Sequence, residues 1–88
     1  MTTKEFEMQL ALGSLSIDDK IKLADNYNKR VLTILSTDEY WYIRCKVAAN
    51  PNTPIKVLTK LLKDKDYTVS NRADIHLETI GNTYIDEE

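Results

Sequence analysis

Glycine, proline, cysteine and phenylalanine are nearly missing from this 88-residue chain: two, two, one and one. The lone Cys45 excludes an intrachain disulfide and a cysteine-based zinc site. So few glycines and prolines suit helices joined by short turns. No apolar run approaches the roughly 20 residues that span a bilayer. The start, Met1–Phe6, is polar, without a basic-then-apolar leader. The expectation is a soluble protein in a reducing, cytoplasmic setting, with no membrane partner. What is present is 42 % hydrophobic and 30 % charged residue content, enough apolar surface for one small globular domain.

The net charge of −2 is unevenly spread. Residues 1–30 are balanced, residues 31–63 hold five bases against two acids, and residues 64–88 hold seven acids against two bases. Lys56, Lys60 and Lys63 form one stripe at i, i+4, i+7. Such a stripe reads as a solvated helix face, since a nucleic-acid surface needs a denser basic footprint.

The periodicity predicts about five helices. Thr3–Leu12 is the first, with Phe6 and Leu10 on one side and Gly13 as its stop. Ser16 is the expected N-cap of a second helix, Ile17–Leu35, broken near Asn26-Tyr27-Asn28, with Ile17, Ile21, Ala24, Val31, Ile34 and Leu35 inward. A third runs from after Asp38 to Ala49, with Ile43 and Val47 inward, and Asn50-Pro51 ends it. Thr53 as cap and Pro54 at N1 start the fourth, Pro54–Lys63, burying Val57, Leu58, Leu61 and Leu62. The fifth extends from Asp66 to Ile80, with Val69, Ala73 and Leu77 inward and Gly81-Asn82 at its end. The domain is expected to cover residues 1–82: capping helices to residue 21, repeats over 22–80, and an acidic tail at 83–88.

The chain repeats itself. Laid over residues 57–73, residues 31–47 give five identities, Val31/Val57, Leu32/Leu58, Thr33/Thr59, Leu35/Leu61 and Asp38/Asp64. Average residue usage would give about one. Trp41/Tyr67, Ile43/Val69, Lys46/Arg72 and Val47/Ala73 are conservative pairs at the same offset. A second overlay sets Lys22–Asn28 on Lys46–Asn52. One whole repeat flanked by partial ones is about the minimum for a stacked array.

The pattern Asp38…Ile43-Arg44…Val47-Ala48-x-Asn50-Pro51-x-Thr53-Pro54…Leu58…Leu61…Asp64-x-Asp66-x-x-Val69 resembles the leucine-rich repeat variant, a family similar in style to HEAT and armadillo repeats. The resemblance covers residues 22–77. It implies an all-α, right-handed stack of helix pairs that holds another macromolecule, and it implies no catalytic residues. The chain departs from the pattern at Tyr40, where a capping acid is usual, at Ser70, where an arginine is expected, and at His76-Leu77, where the next Asn-Pro would stand. The array is therefore expected to end there.

Six residues are candidates for partner binding: Tyr40, Trp41, Tyr67, Arg44, Lys46 and Arg72. Arg44 has two readings, a clamp for a partner's carboxylate or phosphate, or the structural pair with Asp38 or Asp64 that the Asp…Arg ladders of the resembled family imply. Tyr40-Trp41-Tyr42 span about 200° of a helix, wider than a core-facing stripe, so at least one ring should stay exposed. The overlay puts Trp41 and Tyr67 in register, side by side on one edge, where they are either binding anchors or inter-repeat packing. His76 reads as a polar surface or dipole-compensating residue and Cys45 as small packing. No metal site, cofactor or nucleophile–base pair is indicated.

The leading expectation is a non-enzymatic protein–protein interaction module whose partner has acidic character, with self-association through an uncapped end a further option. The alternatives are a nucleic-acid-binding HEAT-like module using Lys46, Lys56, Lys60, Lys63 and Arg72, or a small phage or mobile-element inhibitor. The acidic C-terminal third counts against nucleic acid.

Overall fold

A computed structural model describes residues 4, 5, 8, 13, 15–25 and 28–84, the last four by backbone alone. From Ile17 onward it holds five helices: α1 (Ile17–Leu23), α2 (Lys29–Leu35), α3 (Trp41–Ala49), α4 (Ile55–Leu61) and α5 (Tyr67–Tyr84). No strand occurs among the described residues. The first expected helix, with Phe6 and Leu10, lies largely outside the described residues, as does most of the acidic tail. Gly13 is described and has φ +70°, the left-handed conformation that a helix-stopping glycine adopts.

Local chemistry accounts for most boundaries. Ser16 Oγ accepts from Asp19 N (3.1 Å) while Ser16 N donates to the Asp19 carboxylate (3.4 Å), a complete capping box opening α1. Asn28 Oδ1 accepts from Arg30 N and Val31 N and opens α2, so the expected break produces two separate helices. Asp66 Oδ1 does the same for α5 through Thr68 N and Val69 N.

Three expected boundaries are corrected. Helix α3 starts at Trp41, because the Asp38 carboxylate accepts Tyr40 N and holds residues 38–40 as a turn. Thr53 does not cap α4; Pro54 is the extended N-cap, and Thr53 Oγ1 donates backwards to Val47 O (2.6 Å), satisfying an end carbonyl of α3. Gly81-Asn82 does not stop α5, which continues to Tyr84. A glycine ends a helix only by turning left-handed, and Gly81 does not; within a helix it costs about 1 kcal/mol. Helix α5 has 18 residues against nine in α3, because His76-Leu77 stand where α3 meets Asn50-Pro51.

The sequence overlay reappears as structure. The starts and ends of α2 and α4 differ by 26 residues, as do the starts of α3 and α5. Thr33 Oγ1 donates to Lys29 O and Thr59 Oγ1 to Ile55 O, the same bond one unit later. Helices α3 and α5 share the most extensive packing, followed by α4 on α5. Arg44, in the first turn of α3, reaches Asp64 just before α5, and His76 well along α5 reaches Ala48 near the end of α3. The two helices therefore run parallel, as equivalent members of successive pairs.

Leu32, Leu35, Ile43, Val47, Leu58 and Val69 are fully buried in the shared core, with Ala24, Ala48 and Ala73 allowing close approach. Ile17 (52 % exposed) and Leu62 (39 %) were expected inside and are outside. Each sits at a helix end, Ile17 opening α1 and Leu62 closing α4, beyond the apolar stripe of its helix.

Candidate interaction surface

Arg44 decides how the two repeat units are joined. Its side chain is 8 % exposed, as is that of Asp64. Nε donates to Asp64 Oδ2 (2.7 Å) and Nη2 to Oδ1 (3.1 Å), a bidentate pair, while Nη1 donates to Asp38 O (2.8 Å). Hydrogen bonding to Asp64 raises the Arg44 pKa against the opposing effect of burial. Burial pushes the Asp64 carboxyl up, but Arg44 and the Asp66 N–H outweigh it and hold the group below its ordinary value. Arg44 is thus the structural residue of its two readings, and it leaves the surface candidates.

A second ion pair matches it one unit earlier: Lys20 Nζ meets Asp38 Oδ1 at 2.8 Å. Lys20 precedes Arg44 by 24 residues, the offset of the second overlay; carrying that overlay two residues further upstream exposes the match. Ser70, 26 residues after Arg44, has no charge and hydrogen-bonds its own helix at Tyr67 O, so the ladder stops. Asn50 adds a buried neutral link, Nδ2 donating to Ala24 O (2.9 Å) and Oδ1 accepting from Asn52 N (2.8 Å).

The aromatic triplet lies at the start of α3. Tyr40, Trp41 and Tyr42 are 37 %, 41 % and 38 % exposed. All three rings touch one another: Tyr40–Trp41 at 6.2 Å, Trp41–Tyr42 at 5.6 Å, both edge-to-face, and Tyr40–Tyr42 at 6.2 Å. Rings 100° apart on a helix would splay. Tyr40, however, is the extended N-cap (φ −87°, ψ 119°), outside the helical spacing, and can fold back over its neighbours. Tyr67 opens α5 at the position equivalent to Trp41 and is 78 % exposed, but it makes no ring contact with the triplet. The side-by-side Trp41/Tyr67 pair expected from the register is therefore not formed; Trp41 packs with its sequence neighbours.

Tyr42 connects the triplet to a cleft of about 380 Å³, lined by Asp25, Cys45, Lys46, Asn52 and Arg72 among others. Lys46 Nζ pairs with Asp25 at 3.0 Å, at the surface. Arg72 is exposed and has no ion pair with a described residue. Two candidates, Lys46 and Arg72, are thereby brought together with Tyr42, which is not among the six candidates. Burial pushes the Cys45 thiol up, opposed by the charge of Arg72, so it is protonated at neutral pH and packs as an apolar residue.

On the other side of the Asn50–Pro54 turn, a second concavity of about 510 Å³ includes Lys29, Ile55 and His76. His76 is half-buried, and its Nδ1 lies 3.0 Å from Ala48 O. A carbonyl only accepts, so Nδ1 carries a hydrogen. His76 compensates the C-terminal end of α3, a neighbouring helix, through a bond the sequence spacing did not reveal.

No family model, curated protein or solved structure matches the chain. None of the described helices is long and apolar enough to cross a membrane.

Proposed function

We propose that this chain is a non-enzymatic protein–protein interaction module of the reducing cytoplasm, a short right-handed stack in the style of the leucine-rich repeat variant and HEAT repeats. Its partner engages the face formed by Tyr40, Trp41 and Tyr42 and the adjoining cleft. The carrying observation is that three rings pack on one another and yet each leaves over a third of its surface in water. Rigid aromatics with a polar handle bury large area at low entropic cost and are over-represented at binding hot spots. The mutual contacts keep the free cluster in one arrangement, which lowers the ordering cost of association. The net positive charge of the adjoining cleft, Lys46 and Arg72 against Asp25, favours an acidic partner.

The test is a quantitative pulldown with immobilised wild type beside Trp41→Ala/Tyr42→Ala, both verified as folded by circular dichroism. Selective loss of bound proteins from the double variant is the expected outcome. The same proteins at the same yields would overturn the reading.

A further inference from the structure

The cleft contains an imbalance that the repeat makes visible. Lys46 on α3 pairs with Asp25, the residue directly after the C-cap of α1. One unit later the cation is Arg72 on α5, and the residue directly after the C-cap of α3 is Pro51. Counted from the C-caps the separation is 21 residues in both cases, and proline has no side-chain acceptor; in the 24-residue overlay Asp25 falls on Ala49, another cleft residue that has none. Arg72 therefore occupies the cation's place in a pair whose internal acid the turn cannot supply. Pro51 and Asn52 line the cleft together with Arg72, so the acid's side of the arginine opens into it.

We propose that this cleft receives a carboxylate side chain of a partner polypeptide, with Arg72 as its main ligand. The inference rests on the interaction-module reading and names the chemistry the partner presents. A guanidinium offers two parallel N–H donors to one carboxylate, the arrangement Arg44 makes with Asp64 in this same molecule. Tyr42 forms an aromatic wall beside it. Asp25 already balances Lys46, leaving one net positive charge at the site, which matches a single carboxylate. Tracking a nucleic-acid backbone needs a row of unbalanced cations, and Asp25 would repel successive phosphates.

The experiment follows the Arg72 Nε–H resonance of the full, isotope-labelled chain during titration with capped tetraglutamate, capped tetraglutamine, inorganic phosphate and oligothymidylate. Tetraglutamate is expected to shift it saturably and tetraglutamine to leave it unmoved. Arg72→Gln, followed through the Asn52 side-chain amide, should weaken tetraglutamate binding by about tenfold or more. Pro51→Asp supplies an internal acid at the position directly after the C-cap, where Asp25 stands one unit earlier. It should move the Arg72 resonance with no ligand present and suppress tetraglutamate binding, whereas Pro51→Asn should not. An unmoved Arg72 resonance in wild type, or equal binding by Pro51→Asp, overturns the proposal. So does phosphate matching tetraglutamate, which would mean a general anion site, or tighter binding of oligothymidylate, which would mean nucleic acid. If these titrations fail while Trp41→Ala/Tyr42→Ala still loses its proteins, only the carboxylate receptor is refuted.

Discussion

Replacing Arg44 by methionine removes both nitrogens bound to Asp64 and the donor to Asp38 O, while keeping much of the side chain's apolar stem. Asp64, 8 % exposed in the wild type, would keep the Asp66 N–H as its surviving hydrogen-bond donor. Breaking a buried pair from one side costs about 3–5 kcal/mol. The retained Asp66 bond argues for the lower end, about 3 kcal/mol. A chain of this length has a total stability of about 4–13 kcal/mol, so the loss is a large fraction of it. The melting temperature should fall by about 12–24 °C. Urea unfolding followed by far-ultraviolet circular dichroism measures it directly. Arg44→Met/Asp64→Leu should recover much of the loss, because no unpaired charge is left buried, with a coupling energy of about 2 kcal/mol. A single variant within about 0.5 kcal/mol of wild type, or strictly additive variants, would refute the claim that this pair locks the two units together.

Four further outcomes follow from the structure. Asp64 has a depressed pKa, so its stabilisation is present above its unfolded value and is lost as pH falls through the folded one; stability should drop below about pH 4, and less steeply in Asp64→Asn. Asn50→Ala leaves Ala24 O and Asn52 N without their side-chain partner and should cost about 2–4 kcal/mol in denaturant unfolding. Tyr67→Ala, at 78 % exposure, should stay within about 0.5 kcal/mol of wild type. Trp41→Ala loses two edge-to-face contacts and should cost about 1–2 kcal/mol, measured in the same way.

The fold was legible where a periodic signal met a specific cap. Ser16 as a cap and Asn50-Pro51 as a stop placed helix ends, and the 26-residue overlay anticipated the duplicated helix pair. The errors fall where the local sequence allows two backbone outcomes. Thr53 has a hydroxyl suited to capping the helix ahead, and only the packed structure shows it bound to Val47 behind. Gly81 reads as a stop, but the helix continues through it to Tyr84. The resemblance offers Arg44 either Asp38 or Asp64, and the packed structure selects the Asp64 carboxylate, whereas Lys20 with Asp38 required extending the second overlay by two residues. The Trp41/Tyr67 pairing failed because equivalent positions on parallel helices are about 8–10 Å apart at the axes, while Tyr40 and Tyr42 are within immediate reach of Trp41. The cleft was invisible to one-dimensional reading: Asp25, Tyr42 and Arg72 belong to three separate segments.

Site-specific photocrosslinking asks whether the aromatic face meets a protein partner. A benzophenone amino acid at Tyr40 keeps the ring character of the cluster; the same residue at Lys63 samples an exposed position at the far end of α4. In cells that produce the chain, irradiation should yield discrete higher-mass adducts containing a second polypeptide from position 40 and not from position 63. Equal crosslinking at the two positions, or none at position 40, would contradict the proposed interface.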